Sequence, residues 1–208
     1  MQQHYEAYWN RESPPPLTDP LALTRERILW DLLSPDRSQG GSFLDVGCGS
    51  GWLVGRALER GFHAQGMDIA EGAVERARAD YPGATFVAHS TDILPWPIER
   101  DSIDVVTCFE VIEHLLESQQ LIQGIREVLH PGGFAAITTP YHGLVKNLAL
   151  SIHGFDHHFS VTGDHIRFFS DNALKQLVES EGFRVERMAH YGRLPLVWSG
   201  VMAWARKV

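Results

Sequence analysis

Much of the chain alternates between short apolar runs and longer amphipathic stretches. Five runs of mostly apolar residues have the length of buried strands: residues 43–46, 62–67, 85–88, 103–109 and 134–139. Before and between them, apolar positions recur with the spacing of helices: residues 21–33, 53–58, 70–81 and 113–129. The run 103–109 is apolar almost throughout, as expected of a strand whose two faces are both covered. Strands that alternate with helices predict a parallel sheet with right-handed crossovers.

The alternation changes after Pro140. Residues 143–152 are amphipathic and predict a further helix, and residues 171–181 predict a last helix with Ser170 as its N-cap. An antiparallel pair of strands is predicted at the end of the chain, over residues 183–190 and 197–206. The pattern therefore predicts an α/β fold, a doubly wound, Rossmann-like, seven-stranded mixed sheet with helices on both faces.

Composition excludes some classes of function. The 208 residues suit one domain, and a formal net charge of -8 argues against a surface built for nucleic acid. No run approaches the roughly 20 apolar residues of a membrane span. Two cysteines make no disulfide framework, so we expect a reduced, cytoplasmic chain that is a monomer or homodimer. Tyr8 and Trp9 precede a run of prolines, and this segment is either a flap over the site or a loosely docked tail.

The most informative stretch is the glycine turn after the first predicted strand. Gly47, Gly49 and Gly51 permit a sharp turn and a close approach of ligand to backbone before a helix begins. A dinucleotide fingerprint would have glycine where Trp52 stands, and a carboxylate such as Asp45 would repel its pyrophosphate. The turn therefore suits a ligand with a cationic group and no phosphate.

These residues, Asp45-Val-Gly-Cys-Gly-Ser-Gly51, resemble the first motif of the class I S-adenosylmethionine-dependent methyltransferases. Three later segments resemble further motifs of that family in the same order: residues 91–97, 104–114 and 128–133. The resemblance implies the family's fold and S-adenosylmethionine as cofactor. It implies cofactor contacts from these residues: Asp45, Gly47, Cys48, Gly49, Asp68, Ile69, Thr91, Asp92, Ile93, Phe109 and Glu110.

Some of these roles have a physical reason. Asp68 ends the second strand about 20 residues after the turn, where a carboxylate accepts both ribose hydroxyls, although an aspartate there also suits a helix cap. Ile69 would then lie on the adenine face. The resemblance implies that Asp92 accepts from the adenine amine and that backbone near Phe109 meets the methionine part.

Two histidines are our candidates for catalysis. His114 ends the run Glu110-Val-Ile-Glu113-His114, and His165 begins a His-x-Arg-x-Phe-Ser segment similar to one in many small-molecule members of the family. Either imidazole could take a proton from an acceptor hydroxyl, or each could only anchor a loop. Separations of three and four residues place Glu110, Glu113 and His114 on one face of a predicted helix. Related quinone O-methyltransferases carry a similar run that resembles a metal-binding group, but we expect no metal here.

The predicted function is methyl transfer from S-adenosylmethionine to a small, largely apolar or aromatic acceptor, with oxygen favoured over nitrogen. Three alternatives stay open: a nicotinamide oxidoreductase, which Trp52 and Asp45 argue against, a non-catalytic binding module, and a metal-assisted quinone-type enzyme. The expected single domain has these parts: an N-terminal helical cap (1–40), a cofactor-binding half (42–139), an acceptor-side lid insertion (140–170), and a C-terminal helix and hairpin (171–208). The apolar face of residues 143–152 is predicted to form one wall of the acceptor pocket.

Overall fold

A computed structural model describes residues 19–33, 40–153 and 165–208. The strands are β1 Ser42–Val46, β2 His63–Asp68, β3 Thr85–Ala88, β4 Ile103–Phe109, β5 Leu129–Pro140, β6 Phe183–Tyr191 and β7 Gly200–Lys207. The α-helices are α1 Ala22–Leu32, α2 Trp52–Glu59, α3 Glu71–Asp80, α4 Ser118–Val128, α5 Leu144–His153 and α6 Asp171–Ser180. A short 3-10 turn spans Ile112–His114.

All seven strands form one mixed sheet in the order β3-β2-β1-β4-β5-β7-β6. The first five strands are parallel, and β7 runs antiparallel between β5 and β6. This confirms the predicted fold class and the terminal antiparallel pair. The strand order reverses beside β1, so the carboxyl ends of β1, β2 and β4 meet at the crevice where ligands bind in open α/β sheets.

Helices cover both faces of the sheet, because neighbouring strand residues point to opposite sides. Phe43 packs with α1 and α2 residues such as Leu29 and Val54, whereas Leu44 joins α4 residues such as Ile122 on the other face. These side chains are fully buried. The two-sided core explains why the central strands are apolar almost throughout.

The prediction of one helix over residues 113–129 was wrong. The chain leaves β4 through Glu110, which has a positive φ of 55°, and makes only the 3-10 turn before Leu115 becomes extended. Burial of Ile112 and Leu115 in the core holds this break, and α4 begins three residues later. Glu110 therefore does not share a helix face with Glu113 and His114.

Helix α5 forms where the sequence predicts it, but its apolar side chains are exposed: Leu144, Val145, Leu148 and Ile152. The predicted pocket wall stays a prediction. Segment 165–170 docks on the 3-10 turn, since the backbone N–H groups of Ile166 and Arg167 donate to the Glu113 carbonyl at 3.0 and 3.1 Å. Ser170 caps α6, as predicted, by accepting from the Ala173 N–H at 3.3 Å.

Two sequence-based expectations fall wholly or partly outside the described residues: the flap with Tyr8 and Trp9, and residues 154–164 of the lid insertion. The two cysteines, Cys48 and Cys108, are buried and free. Within the described ranges, no helix has both the length and the apolar character needed to cross a membrane.

Candidate functional site

The glycine turn folds back onto the end of β2. The N–H groups of Gly47 and Cys48 donate to the Met67 carbonyl at 2.7 and 3.1 Å, and Gly49 N–H donates to Asp68 Oδ2 at 2.8 Å. Gly47 has a φ of 75°, and a Cβ there would stand 2.3 Å from a Val111 methyl. Glycine is therefore required at this position by both conformation and space.

A cavity of about 200 Å³ opens above this turn, between α1 and the carboxyl end of β4. Five of the predicted cofactor residues line it: Asp45, Gly47, Cys48, Gly49 and Phe109. The remaining lining comes from residues that we did not predict: Asp19, Ala22 and Arg25 at the start of α1, and Ser50, Trp52 and Leu53 at the start of α2. The other predicted cofactor residues do not line it: Asp68, Ile69, Thr91, Asp92, Ile93 and Glu110.

Asp45 is a buried acid of this cavity, whereas Asp19 is paired with Arg25. Asp45 is only 6% exposed, and its Oδ1 accepts from the Thr107 hydroxyl at 2.6 Å. Burial, with a smaller effect of the nearby Asp68 charge, raises the pKa of Asp45 to about 7. A cationic ligand group in the cavity would reverse this penalty and favour the ionised carboxylate.

Asp68 ties the glycine turn to the start of α3. Besides Gly49 N–H, its carboxylate accepts from the Ala70 N–H at 2.9 Å. The structural role that we considered as an alternative is therefore present, and the ribose and Ile69 contacts stay predictions.

The predicted adenine segment is held in place by two side chains at its ends. The Trp96 indole N–H donates to the Thr91 carbonyl at 3.4 Å, and His89 Nε2 lies 2.9 Å from the Ile93 carbonyl. Asp92 and Ile93 are exposed. Partial burial of the Asp92 carboxyl, and then the charge of Glu117, raises its pKa. The adenine contacts of this segment stay predictions.

Glu110 lies in a hydrogen-bonded network with Arg25 of α1. Its Oε1 accepts from the Thr138 hydroxyl at 2.8 Å and from the Tyr191 hydroxyl at 2.9 Å, and the Arg25 guanidinium lies 3.7 Å away. Arg25 is buried, pairs also with Asp19, and lines the cavity. The network thus presents one arginine to the cavity beside Asp45.

Sequence reasoning missed Arg25, although the pattern contained a signal for it. Arg25 lies four residues after Leu21 and four before Leu29, on the buried face of α1. A charged residue on an apolar helix face needs a partner, and here the partners are Asp19, six positions earlier, and Glu110, 85 positions later.

The two candidate catalytic histidines meet although they are 51 positions apart. The rings of His114 and His165 pack edge to face with centroids 4.9 Å apart. Glu113, His114 and His165 each offer one possible metal-ligand atom, and these atoms all lie within 4.8 Å of one another. Burial, and then the charge of Glu110, raises the pKa of Glu113 to about 8. The group of possible metal ligands therefore contains His165 and not Glu110, which the sequence pattern had grouped with Glu113 and His114.

Comparison with known proteins identifies the family. A family model described as a methyltransferase domain matches residues 22–187, which includes both the glycine turn and the carboxyl ends of the parallel strands. The chain belongs to the class I S-adenosylmethionine-dependent methyltransferases. S-adenosylmethionine is thus its methyl donor, and the protein is an enzyme that transfers a methyl group.

Two relatives show how far this likeness extends. The enzyme is 31% identical over 198 residues to a ubiquinone biosynthesis O-methyltransferase of Shewanella sp. (strain ANA-3), covering 78% of this chain and 81% of the relative. It is 30% identical over 162 residues to a probable S-adenosylmethionine-dependent methyltransferase of Mycolicibacterium smegmatis, covering 78% of this chain and 59% of that protein.

Solved structures share the fold. An S-adenosylmethionine dependent methyltransferase from Mesorhizobium loti superposes with a TM-score of 0.71 at 19% identity, covering 87% of this chain and 96% of its own. Magnesium protoporphyrin IX methyltransferase from Synechocystis PCC 6803, solved with bound SAH, superposes with a TM-score of 0.72 at 15% identity, covering 99% and 94%.

The cavity has the groups that the methionine part of the donor requires. Asp45 would provide an anion for its ammonium and Arg25 a cation for its carboxylate, and the turn at Gly47 leaves space where a side chain would stand. These residues would hold the donor, whose sulfonium supplies an activated methyl group.

Proposed function

We propose that this methyltransferase acts on an oxygen of a small, largely apolar or aromatic acceptor, with His114 or His165 accepting the hydroxyl proton. The observation that supports this is the contact between the His114 and His165 imidazoles. His114 lies just beyond the end of β4, four residues after Glu110 in the chain. Imidazole changes its charge near neutral pH, so it can take a proton as the methyl group arrives. The O-methyltransferase among its relatives is consistent with this proposal.

The test is turnover of the purified enzyme with two matched panels, phenols and catechols against arylamines of similar size. S-adenosylhomocysteine formation measures activity, and mass spectrometry of the product identifies the methylated atom. We expect methylation of the phenolic panel. His114→Asn or His165→Asn should then lower kcat by about 10²- to 10⁴-fold, the usual contribution of a general base.

His130→Asn is the matched control, because this exposed histidine lies at the opposite end of β5. It should leave kcat unchanged. Turnover of arylamines alone would contradict methylation at oxygen. An unchanged kcat in both histidine variants would show that neither histidine is a general base, and both would then be loop anchors. Tight donor binding without turnover of any acceptor would favour the non-catalytic module.

A metal-assisted form of the same reaction is the second candidate, because Glu113, His114 and His165 converge. Both Glu113 carboxylate oxygens are buried and have no hydrogen-bond partner among the described residues. These three residues would hold a divalent ion, which would acidify an acceptor hydroxyl. We expect turnover to survive a chelator; loss of turnover with rescue by magnesium or zinc would establish the metal-assisted form instead.

A further inference from the structure

Exposed apolar side chains concentrate on three segments that follow β5 in the chain. In helix α5, Leu144 is 85% exposed and Leu148 is 60% exposed. Ile166 and Phe168 are exposed beside the 3-10 turn, and Leu194 and Leu196 are exposed in the loop between β6 and β7. We call the exposed apolar side chains of these three segments the apolar rim. Most of the large exposed apolar residues of the described chain belong to it, which marks an interaction surface.

Side-chain contacts join these three segments. The His142 ring packs against Phe168 with centroids 4.8 Å apart, and its Nδ1 lies 3.0 Å from Oδ1 of Asn147 in α5. The neighbouring Lys146 ammonium donates to the Ser199 carbonyl, in the loop between β6 and β7, at 3.4 Å. The start of α5 thus contacts both other segments of the apolar rim.

The charge of this surface is opposite to that of the molecule. The enzyme carries 26 acidic and 18 basic residues, yet residues 141–153, 165–170 and 189–208 contain no aspartate or glutamate. Three cations lie in or beside the apolar rim: Lys146, Arg167 and Arg193, of which both arginines are exposed. Residues 154–164, whose sequence includes two aspartates, lie outside the described residues.

We propose that the apolar rim docks on an anionic phospholipid bilayer, with its leucine, isoleucine and phenylalanine side chains in the headgroup region. Amphipathic helices with apolar and basic side chains bind membrane surfaces by burying apolar area and by attraction to anionic lipids. The ten residues of α5 are too few to span a bilayer but enough to lie on its surface.

A second copy of the chain is the less favourable occupant of the apolar rim. A two-fold interface would place the same patch of both subunits face to face. The exposed Arg167 and Arg193 of both copies would then be brought into one interface, and the described segments of the apolar rim contain no acidic residue to neutralise them. Lipid phosphates instead provide the opposite charge. The inference concerns this surface alone and holds whichever acceptor the enzyme uses.

Co-sedimentation of the full chain with vesicles tests the proposal. One set contains only phosphatidylcholine and the other equal parts of phosphatidylcholine and phosphatidylglycerol. We expect at least about tenfold tighter binding to the anionic vesicles, weakened by added salt. The double variant Leu144→Ser, Leu148→Ser should lose about tenfold or more of this binding, because two apolar side chains no longer enter the headgroup region.

Leu23→Ser is the matched control, because Leu23 is 65% exposed on α1, outside the apolar rim. It should bind anionic vesicles like the unaltered enzyme, and both variants should keep the affinity for S-adenosylmethionine. Absence of vesicle binding, or equal binding by the double variant, would overturn the proposal. So would a dimer in solution that dissociates in the double variant while vesicles are not bound, since the apolar rim would then be an interface between copies.

Discussion

Raising the pH from about 5 to about 7 should strengthen S-adenosylmethionine binding, because the donor's ammonium favours an Asp45 carboxylate that has lost its proton. Asp45 is buried beside Thr107 in the donor cavity, and its pKa in the empty site is about 7. Below that pH the free enzyme holds a proton there, and binding must release it. The affinity should therefore be lost as the pH falls.

The magnitude follows from the fraction of Asp45 that is ionised. A group with a pKa of about 7 is ionised to about 1% at pH 5 and to about half at pH 7, so the affinity should rise by up to about fifty-fold. This corresponds to about 2.3 kcal/mol. The window ends near pH 7 because α-amino groups such as the donor's begin to lose their own proton at about pH 8.

Isothermal titration calorimetry in two buffers of different ionisation enthalpy gives both the affinity and the number of protons released. We expect close to one proton per donor bound at about pH 5.5 and fewer at pH 7. Asp45→Asn should bind S-adenosylmethionine weakly at every pH in this range. Glu113→Gln removes the other carboxyl whose pKa is strongly raised, and its donor affinity should keep the pH dependence. Affinity that is flat across the window, or pH dependence retained in Asp45→Asn, would refute the role given to Asp45.

Three further predictions concern the same site. Asp68→Ala should weaken donor binding by about 1.5–3 kcal/mol in calorimetry, the value of hydrogen bonds to a charged group; unchanged affinity in a folded variant would reduce Asp68 to a support of the turn. Arg25→Ala should raise the dissociation constant for S-adenosylmethionine at least about tenfold, and Arg25→Lys less, because a lysine keeps the charge but not the paired N–H groups. Without donor, the free energy of unfolding measured in urea should fall as the pH rises from about 4 to about 8. Folding raises the pKa of Asp45 and of Glu113, so the folded state binds more protons than the unfolded state in this range. The double variant Asp45→Asn, Glu113→Gln should show a weaker dependence on pH.

Features encoded within a few neighbouring residues could be predicted from the sequence. The alternation of apolar runs and helical periods specified the seven-stranded sheet, because the central strands bury both faces. The turn at Gly47 and the acids at the ends of β1 and β2 were also local signals, since parallel strands bring their carboxyl ends to one edge. Family, donor and five cavity residues therefore followed from the sequence.

The tertiary structure decided which distant residues meet and which faces are covered. Periodicity placed Glu110, Glu113 and His114 on one helix, but the chain forms only a 3-10 turn there. The cause is the burial of Ile112 and Leu115 in the core, because tertiary packing outweighs a local helical period. Arg25 and His165 reached the site through packing of α1 and of segment 165–170 against residues far along the chain. The exposure of α5 likewise depends on what packs against it, which an amphipathic period cannot specify.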